Sequence, residues 1–313
     1  MFQTPVVLIL FNRPDLTKIV FEAIAQVKPA QLLVIADGPR EPEEAEKCNK
    51  ARAVIDKIDW DCQILTNFSD KHLGCKRRVS SGLEWVFSIV EEAIILEDDC
   101  LPAPTFFSFC ETLLERYRYD ERIMMISGNN FQRGQNKTEY SYYFSKYSHI
   151  WGWASWRRAW QHYDVDMKTW PKFKKMNWLC SVCTDSYEQR YWMDRFDSVF
   201  DGAIDTWDYQ LLYAYWCQSG LAILPNSNLV SNIGFRLDAT HTFADSPWAR
   251  LPTTDIWEIK HPPSVVRHRD ADTYTFNYFY GGKDMRRNAP PLYRAKHYVK
   301  SLRNRLILEN TWD

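Results

Sequence analysis

The chain has 313 residues, with 39 Lys+Arg against 40 Asp+Glu and 45% hydrophobic residues. At roughly 150 residues per domain that is enough to bury a proper core. A formal charge of -1 excludes binding to nucleic acid by bulk charge, so no nucleic-acid partner is expected. The aromatic load is heavy (14 Trp, 17 Tyr and 17 Phe), whereas Gly, at 11, is scarce and argues against a glycine-rich phosphate loop.

Met1 to Pro5 runs into a strand-like segment with neither a basic region nor a long apolar run, so no signal peptide is expected. No stretch reaches about 18 consecutive apolar residues, so no membrane span is expected and the expected location is the cytoplasm. The eight cysteines are scattered and read as reduced, mostly buried thiols. Cys180 and Cys183 form the one close pair. Without a second pair or a nearby His at metal spacing, helix packing fits them better than zinc.

Along the chain, Val6 to Phe11 is a continuous apolar run of strand length, the kind buried on both faces of a parallel sheet. Pro14 and Asp15 suit a helix's first turn, and Leu16, Ile19, Val20, Ala23, Ile24 and Val27 follow at helical spacing. Leu32 to Ala36 predicts a second strand, stopped by Asp37-Gly38-Pro39. Ala45, Cys48, Ala51, Val54 and Ile55 mark a helix, Cys62 to Thr66 a third strand, and Val79, Leu83, Val86, Phe87 and Val90 another helix. Ala93 to Leu96 is a fourth strand, ending in Glu97-Asp98-Asp99. Such alternation implies a parallel sheet with right-handed crossovers, whose ligands collect at the carboxyl ends of the strands. Gly-x-Gly-x-x-Gly and the phosphate-loop Lys-Ser/Thr pattern are both absent, so a dinucleotide dehydrogenase or phosphate-loop NTPase fits poorly.

Three carboxylates at one strand end repel each other and need a positive partner. Mg²⁺ or Mn²⁺ would serve, being held by one or two carboxylates plus ligand phosphates, although a solvated turn satisfies the same pattern. Lys76, Arg77 and Arg78 open the preceding helix. Cations there oppose the helix dipole unless an anion lies at the same end; Lys76 and Arg77 are therefore candidates for phosphate contact, with plain surface solubility as the alternative.

In the second half, Phe106, Phe107, Cys110, Leu113, Leu114 and Tyr117 form a core stripe, and Met124 to Ser127 and Tyr142 to Phe144 read as strands. Trp156 and Trp160 stand at helical spacing. Trp151 and Trp153 flank Gly152 in what reads as a pre-helical loop, where aromatics either pack or line a sugar pocket. Asp205-Thr206-Trp207-Asp208 is read as a helix opening with Asp205 as N-cap and Asp208 at the acidic box position. Either carboxylate can cap, or serve as a general base. His241 follows late in the chain. His261-Pro262-Pro263 reads as a linker. Residues 293–308 carry Arg294, Lys296, Lys300, Arg303 and Arg305 without an acid, a basic amphipathic helix that can lie peripherally on an anionic membrane or dock with its basic face solvated.

Taken together, Val6 to Arg13, Ala36-Asp37-Gly38, Ile94 to Asp99, Trp151 to Ala154 and Asp205 to Asp208 resemble the GT-A glycosyltransferases. The Glu-Asp-Asp form is most similar to the N-acetylglucosaminyltransferase I type. The resemblance covers residues 4–245 and implies a Rossmann-like, mostly parallel sheet flanked by helices. It implies a catalytic domain over 1–245 (nucleotide half 1–100, acceptor half 101–245), with 246–313 as a C-terminal helical extension. It further implies that Asp99, with His241 closing the shell, holds Mn²⁺ or Mg²⁺. Phe11, Asn12, Arg13 and Asp37 would hold the nucleobase end, Glu97, Asp98, Trp151, Gly152 and Trp153 the rest of the donor, and Asp208, ahead of Asp205, would act as base. The activity implied is hexosyl or N-acetylhexosaminyl transfer from a nucleotide-sugar, UDP-linked, to a glycan or lipid-linked sugar acceptor, with inversion. The family's usual small-residue support around the diphosphate is not evident. A non-catalytic carbohydrate-binding scaffold and a nucleotidyltransferase are the alternatives.

Overall fold

The structure is a computed structural model and describes residues 2–135, 137–236 and 246–290. His241 and the basic segment 293–308 lie outside the described residues. The first half runs β1 (Val6–Leu10), α1 (Pro14–Val27), β2 (Gln31–Ala36), α2 (Ala45–Arg52), β3 (Gln63–Phe68), α3 (Gly74–Ile89) and β4 (Glu92–Glu97). These are the elements that the apolar runs predict. In α1 the buried face is Leu16, Thr17, Val20, Phe21 and Ile24, so it is turned slightly from the expected stripe and leaves Ile19 exposed.

The chain continues through β5 (Cys100–Pro102), α4 (Phe106–Arg116), β6 (Ile123–Ser127), β7 (Tyr142–Ser145), β8 (Trp153–Trp156) and α5 (Arg157–Trp160). Next come α6 (Trp170–Lys175), α7 (Leu179–Val182), α8 (Ser186–Phe200), α9 (Asp208–Cys217), β9 (Leu221–Pro225), β10 (Val230–Asn232), α10 (Arg269–Tyr278) and α11 (Gly282–Asn288). Eight strands form one sheet in the order β3-β2-β1-β4-β8-β6-β9-β7, and β5 pairs with β10 apart from it. Strands β3, β2, β1, β4, β6 and β9 point one way, and β8 and β7 run against them. The expected mostly parallel α/β sheet is thus what the chain adopts.

Alternate residues of β1 and β2 supply the two faces. Val6, Leu8, Leu10, Leu32 and Val34 pack with α1 and α4, whereas Val7, Ile9, Leu33 and Ile35 pack with α3, α5 and α9. Each such side chain, fully buried, stabilises by roughly 1.5–3 kcal/mol relative to exposure. Helix α9 is buried nearly all round. Leu211 and Tyr215 face the sheet, and Leu212, Tyr213 and Trp216 face a third layer built by α6 to α8 around Trp170, Trp192 and Phe196. Much of the aromatic load is spent here. Cys183 is buried in that layer with its thiol 3.3 Å from Lys146 Nζ, Cys180 is exposed, and all eight cysteines are free.

Two local expectations change. Trp153-Ala-Ser-Trp156 is a strand buried on both faces between β4 and β6, where a pre-helical loop was expected. Trp153 stacks on Trp207 at 5.7 Å, and both belong to the core. Helix α9 begins at Asp208, with Trp207 at the N-cap position and no side-chain cap, so Asp205 precedes the helix and does not cap it.

Residues 246–290 pack onto the same body. Asp255 accepts hydrogen bonds from the backbone and hydroxyl of Thr105, Lys260 and Ser141 exchange bonds across the β7 edge, and Ala271 and Phe276 enter the cores. His261, in the expected linker, bonds Tyr142 OH at 3.0 Å.

Candidate active site

The register of the parallel strands sets the site. Leu10 pairs with Ala36 and Ile9 with Glu97, so the residues leaving β1, β2 and β4 emerge at one height. There they line a cleft of about 610 Å³, at the carboxyl ends where an open sheet of this kind collects ligands. Of the residues singled out in the sequence, Phe11, Asn12, Arg13, Asp37, Glu97, Asp98, Asp99, Trp151, Asp205 and Asp208 line it.

At its centre Arg13 bridges two carboxylates. Its Nη2 pairs with Asp98 Oδ1 and lies 3.0 Å from Asp99 Oδ2, and Phe11 N donates to Asp98 Oδ2 at 3.4 Å. Burial alone would lower the Arg13 guanidinium, but the Asp98 and Asp99 charges outweigh it and hold it above its usual range. Burial pushes the Asp98 carboxyl up, against the pull of Arg13. Burial and the neighbouring Asp99 and Asp98 charges likewise push Glu97 up. No hydrogen bond or ion pair among the described residues reaches the Glu97 carboxylate. The half-buried Cys75 thiol lines the same cleft as Glu97, Asp208, Asp205 and Asp37, and its burial and these charges push it up.

Strand β10 closes the far side of Asp99. Ile233 N donates to Asp99 O at 2.8 Å, and a Cβ built on Gly234 would fall 2.2 Å from Asp99 Oδ2. Glycine is therefore required there by the carboxylate it touches. Asp208, in the first turn of α9, accepts a hydrogen bond from Thr206 Oγ1.

Asp37, expected at the nucleobase end, lines the cleft and also has backbone partners of its own. Its oxygens accept from the backbone N–H groups of Gly38, Leu73 and Gly74 at 2.9, 2.9 and 3.0 Å, and His72 Nδ1 lies 2.8 Å away. Helix α3 lacks a cap of its own, and Asp37 supplies one from the neighbouring strand end.

The basic cluster also resolves into separate parts. Arg77 is exposed and pairs with Asp166 at 2.8 Å, and Lys76 does not line the cleft. Arg78 does line it, buried, with Nη2 held by Asn67 O at 2.9 Å and Nε without a hydrogen-bond partner. Gly152 and Trp153 likewise stand outside the lining. Gly152 has φ +71 and no room for a side chain beside Val230, and Trp153 is buried within the sheet.

The lining also includes Arg40 and His72, from strand ends where ligands were expected but with no role assigned to them, and Asn129, Phe131, His149, Trp192, Phe279 and Tyr280, which were not expected there. The Phe11 ring lies 5.2 Å from the His72 ring, and the Arg40 guanidinium stands over the Phe11 ring at 5.4 Å. Phe279 and Tyr280 follow α10 and come from the C-terminal segment.

As to a metal, no three His, Cys, Asp or Glu side chains among the described residues form a ligating group. Mg²⁺, however, takes as few as one or two carboxylates with substrate phosphates. The hard oxygens of Asp99 and Glu97 are donors of the right chemical kind. No described helix is long and apolar enough to cross a membrane.

No protein-family model matches the chain, and no curated protein matches it significantly. Among solved structures it is similar to a galactosyltransferase in complex with donor and acceptor sugar analogs, at 10% identity, covering 94% of this chain and 100% of that one with a TM-score of 0.41. It is also similar to an inositol-1-phosphate CTP transferase from T. maritima (7% identity, 72% and 86% covered, TM-score 0.37) and to mouse xyloside xylosyltransferase 1 (7%, 43% and 55%, 0.26). Scores this low leave the chemistry of this chain to be read from its own cleft.

Proposed function

We propose that the chain is a GT-A-like glycosyltransferase that moves a sugar from a nucleoside-diphosphate sugar, UDP-linked, to an acceptor hydroxyl. One observation carries the reading: one cleft at the strand carboxyl ends is lined by Arg13, Glu97, Asp98, Asp99 and Asp208 together. Carboxylates gathered about a cation suit a donor that brings phosphates and a divalent ion.

Asp99, with Glu97, would hold Mn²⁺ or Mg²⁺, and when bound such an ion stabilises charge growing on the diphosphate leaving group. Arg13 keeps Asp98 and Asp99 in place and offers positive charge at the phosphates. Asp208 takes the proton from the acceptor hydroxyl as its oxygen attacks the anomeric carbon, a single displacement that inverts that centre. The hydroxyl oxygen gains the glycosyl bond, the proton goes to Asp208, and the nucleoside diphosphate departs with the bonding pair.

Asp208→Asn tests this assignment. The variant should keep nucleotide binding and lose transfer by about 10²–10⁴-fold, the range for a positioned general base. Unaltered turnover would remove Asp208 from the mechanism.

A further inference from the structure

Away from the cleft, the third layer carries a one-sided charge. Residues 167–184 hold four lysines (Lys168, Lys172, Lys174 and Lys175) and no acid, in a chain whose formal charge is -1. None of these residues lines the cleft. All four lysines are exposed, and only Lys174 has an ion pair among the described residues, with Asp197 at 2.7 Å. The flanking acids are engaged elsewhere. Asp164 accepts from the backbone N–H groups of Asp166 and Lys168, Asp166 pairs with Arg77, and Asp185 caps α8 and pairs with Arg286.

Lys172 and Lys175, three apart, share the face of α6 turned away from Trp170 and Phe173. Asn177, at φ +52, then turns the chain, and Met176 just before it stands 65% exposed. Beneath this tip the segment is firmly seated. The rings of Trp170, Phe173 and Trp178 lie 5.8, 6.2 and 5.7 Å from that of Tyr213 in α9, and Trp170 Nε1 donates to Asp197. An apolar side chain is thus held out in water among unneutralised lysines.

The composition selects the partner. Protein interfaces enrich Arg and deplete Lys, and all four cations here are Lys. Single-stranded nucleic acid needs aromatic faces to stack on, whereas the rings here are turned inward onto Tyr213. An anionic bilayer attracts lysines as point charges and admits an apolar side chain between its headgroups. We propose that residues 168–178 form a docking face for an anionic lipid surface, with Lys168, Lys172 and Lys175 over the headgroups and Met176 entering them. This face lies outside the cleft, and its docking is independent of the reaction there.

Flotation of the full chain with vesicles of phosphatidylcholine, alone or with roughly 30% phosphatidylserine, tests the assignment. The chain should bind the mixed vesicles, ignore pure phosphatidylcholine and come off as salt is raised. A lysine near such a surface contributes a factor of about five, so Lys172→Gln/Lys175→Gln should weaken binding about 25-fold. Met176→Ser should weaken it about threefold. Lys47→Gln/Lys57→Gln, which removes the same charge from exposed positions elsewhere, should change it by less than about twofold. Melting temperatures check that each variant folds. The docking face is overturned if the chain ignores mixed vesicles, if Lys172→Gln/Lys175→Gln binds them unchanged, or if the Lys47 and Lys57 pair matters equally. Retention on polyglutamate but not on vesicles, lost in Lys172→Gln/Lys175→Gln, would make the face a protein contact and overturn the lipid assignment.

Discussion

Replacing Arg13 by Met keeps an unbranched apolar stem and removes the cation between Asp98 and Asp99. Those residues are 3% and 8% exposed, and Asp98 would be left with only the 3.4 Å bond from Phe11 N. Breaking a buried ion pair from one side costs about 3–5 kcal/mol, because the remaining charge is uncompensated. The Arg13 side chain is 22% exposed, so water relieves part of this, and a loss of about 2–3 kcal/mol is expected. Adding Asp98→Asn removes the stranded charge, so the double variant should cost less than the sum of the singles by at least about 1.5 kcal/mol. Urea denaturation of the four proteins, with slopes compared, reads both quantities. Strictly additive losses, or a loss below about 0.5 kcal/mol for Arg13→Met, would refute the view that this ion triad organises the strand ends.

Three further outcomes follow from the site. His149 has its pKa depressed from 6.5 to about 3, so the unfolded chain takes the proton first and stability falls as pH drops below 6.5. From 6.5 to 5 that slope amounts to about 2 kcal/mol, and His149→Phe should lack it when unfolding is compared at pH 7 and 5. Gly234→Ala drives a methyl into Asp99 and should destabilise the fold by about 1–3 kcal/mol while weakening binding of nucleotide-sugar, by calorimetry; unchanged affinity would contradict the packing. Asp37→Asn leaves backbone N–H groups of Leu73 and Gly74 poorly paired, which should cost about 1–2 kcal/mol and raise hydrogen exchange at the start of α3 above that in α1.

The strand ends could be read from the sequence because each is a continuous apolar run stopped by polar residues, and parallel strands bring their carboxyl ends together. Glu97 to Asp99 and Arg13 were therefore legible as neighbours. Trp153 was not, since four residues buried on both faces show neither a period of two nor of 3.6. The cap expected at Asp205 falls two residues later, at Trp207, because a good capping residue need not be used as one. Arg78 could have been found, as it stands three residues after Cys75 and four before Gly82, on the buried side of α3 that Arg77 leaves. Phe279 and Tyr280 carry no local signal; only the packing of α10 against the sheet brings them to a cleft begun more than two hundred residues earlier in the sequence.

The central claim is that this cleft binds a nucleoside-diphosphate sugar together with a divalent cation. Thermal shift of the wild type and of Asp99→Asn with UDP-glucose and UDP-N-acetylglucosamine, each with and without Mn²⁺, tests it most directly. A ligand at 100 times its dissociation constant adds about 2.7 kcal/mol to the folded state, enough to move the melting temperature by several degrees. The wild type should show that rise only when Mn²⁺ and a nucleotide-sugar are both present, and Asp99→Asn, each shift being taken from its own ligand-free melting temperature, should lose it. A wild type that no nucleotide-sugar stabilises with Mn²⁺, or an Asp99→Asn protein stabilised just as fully, would contradict the account.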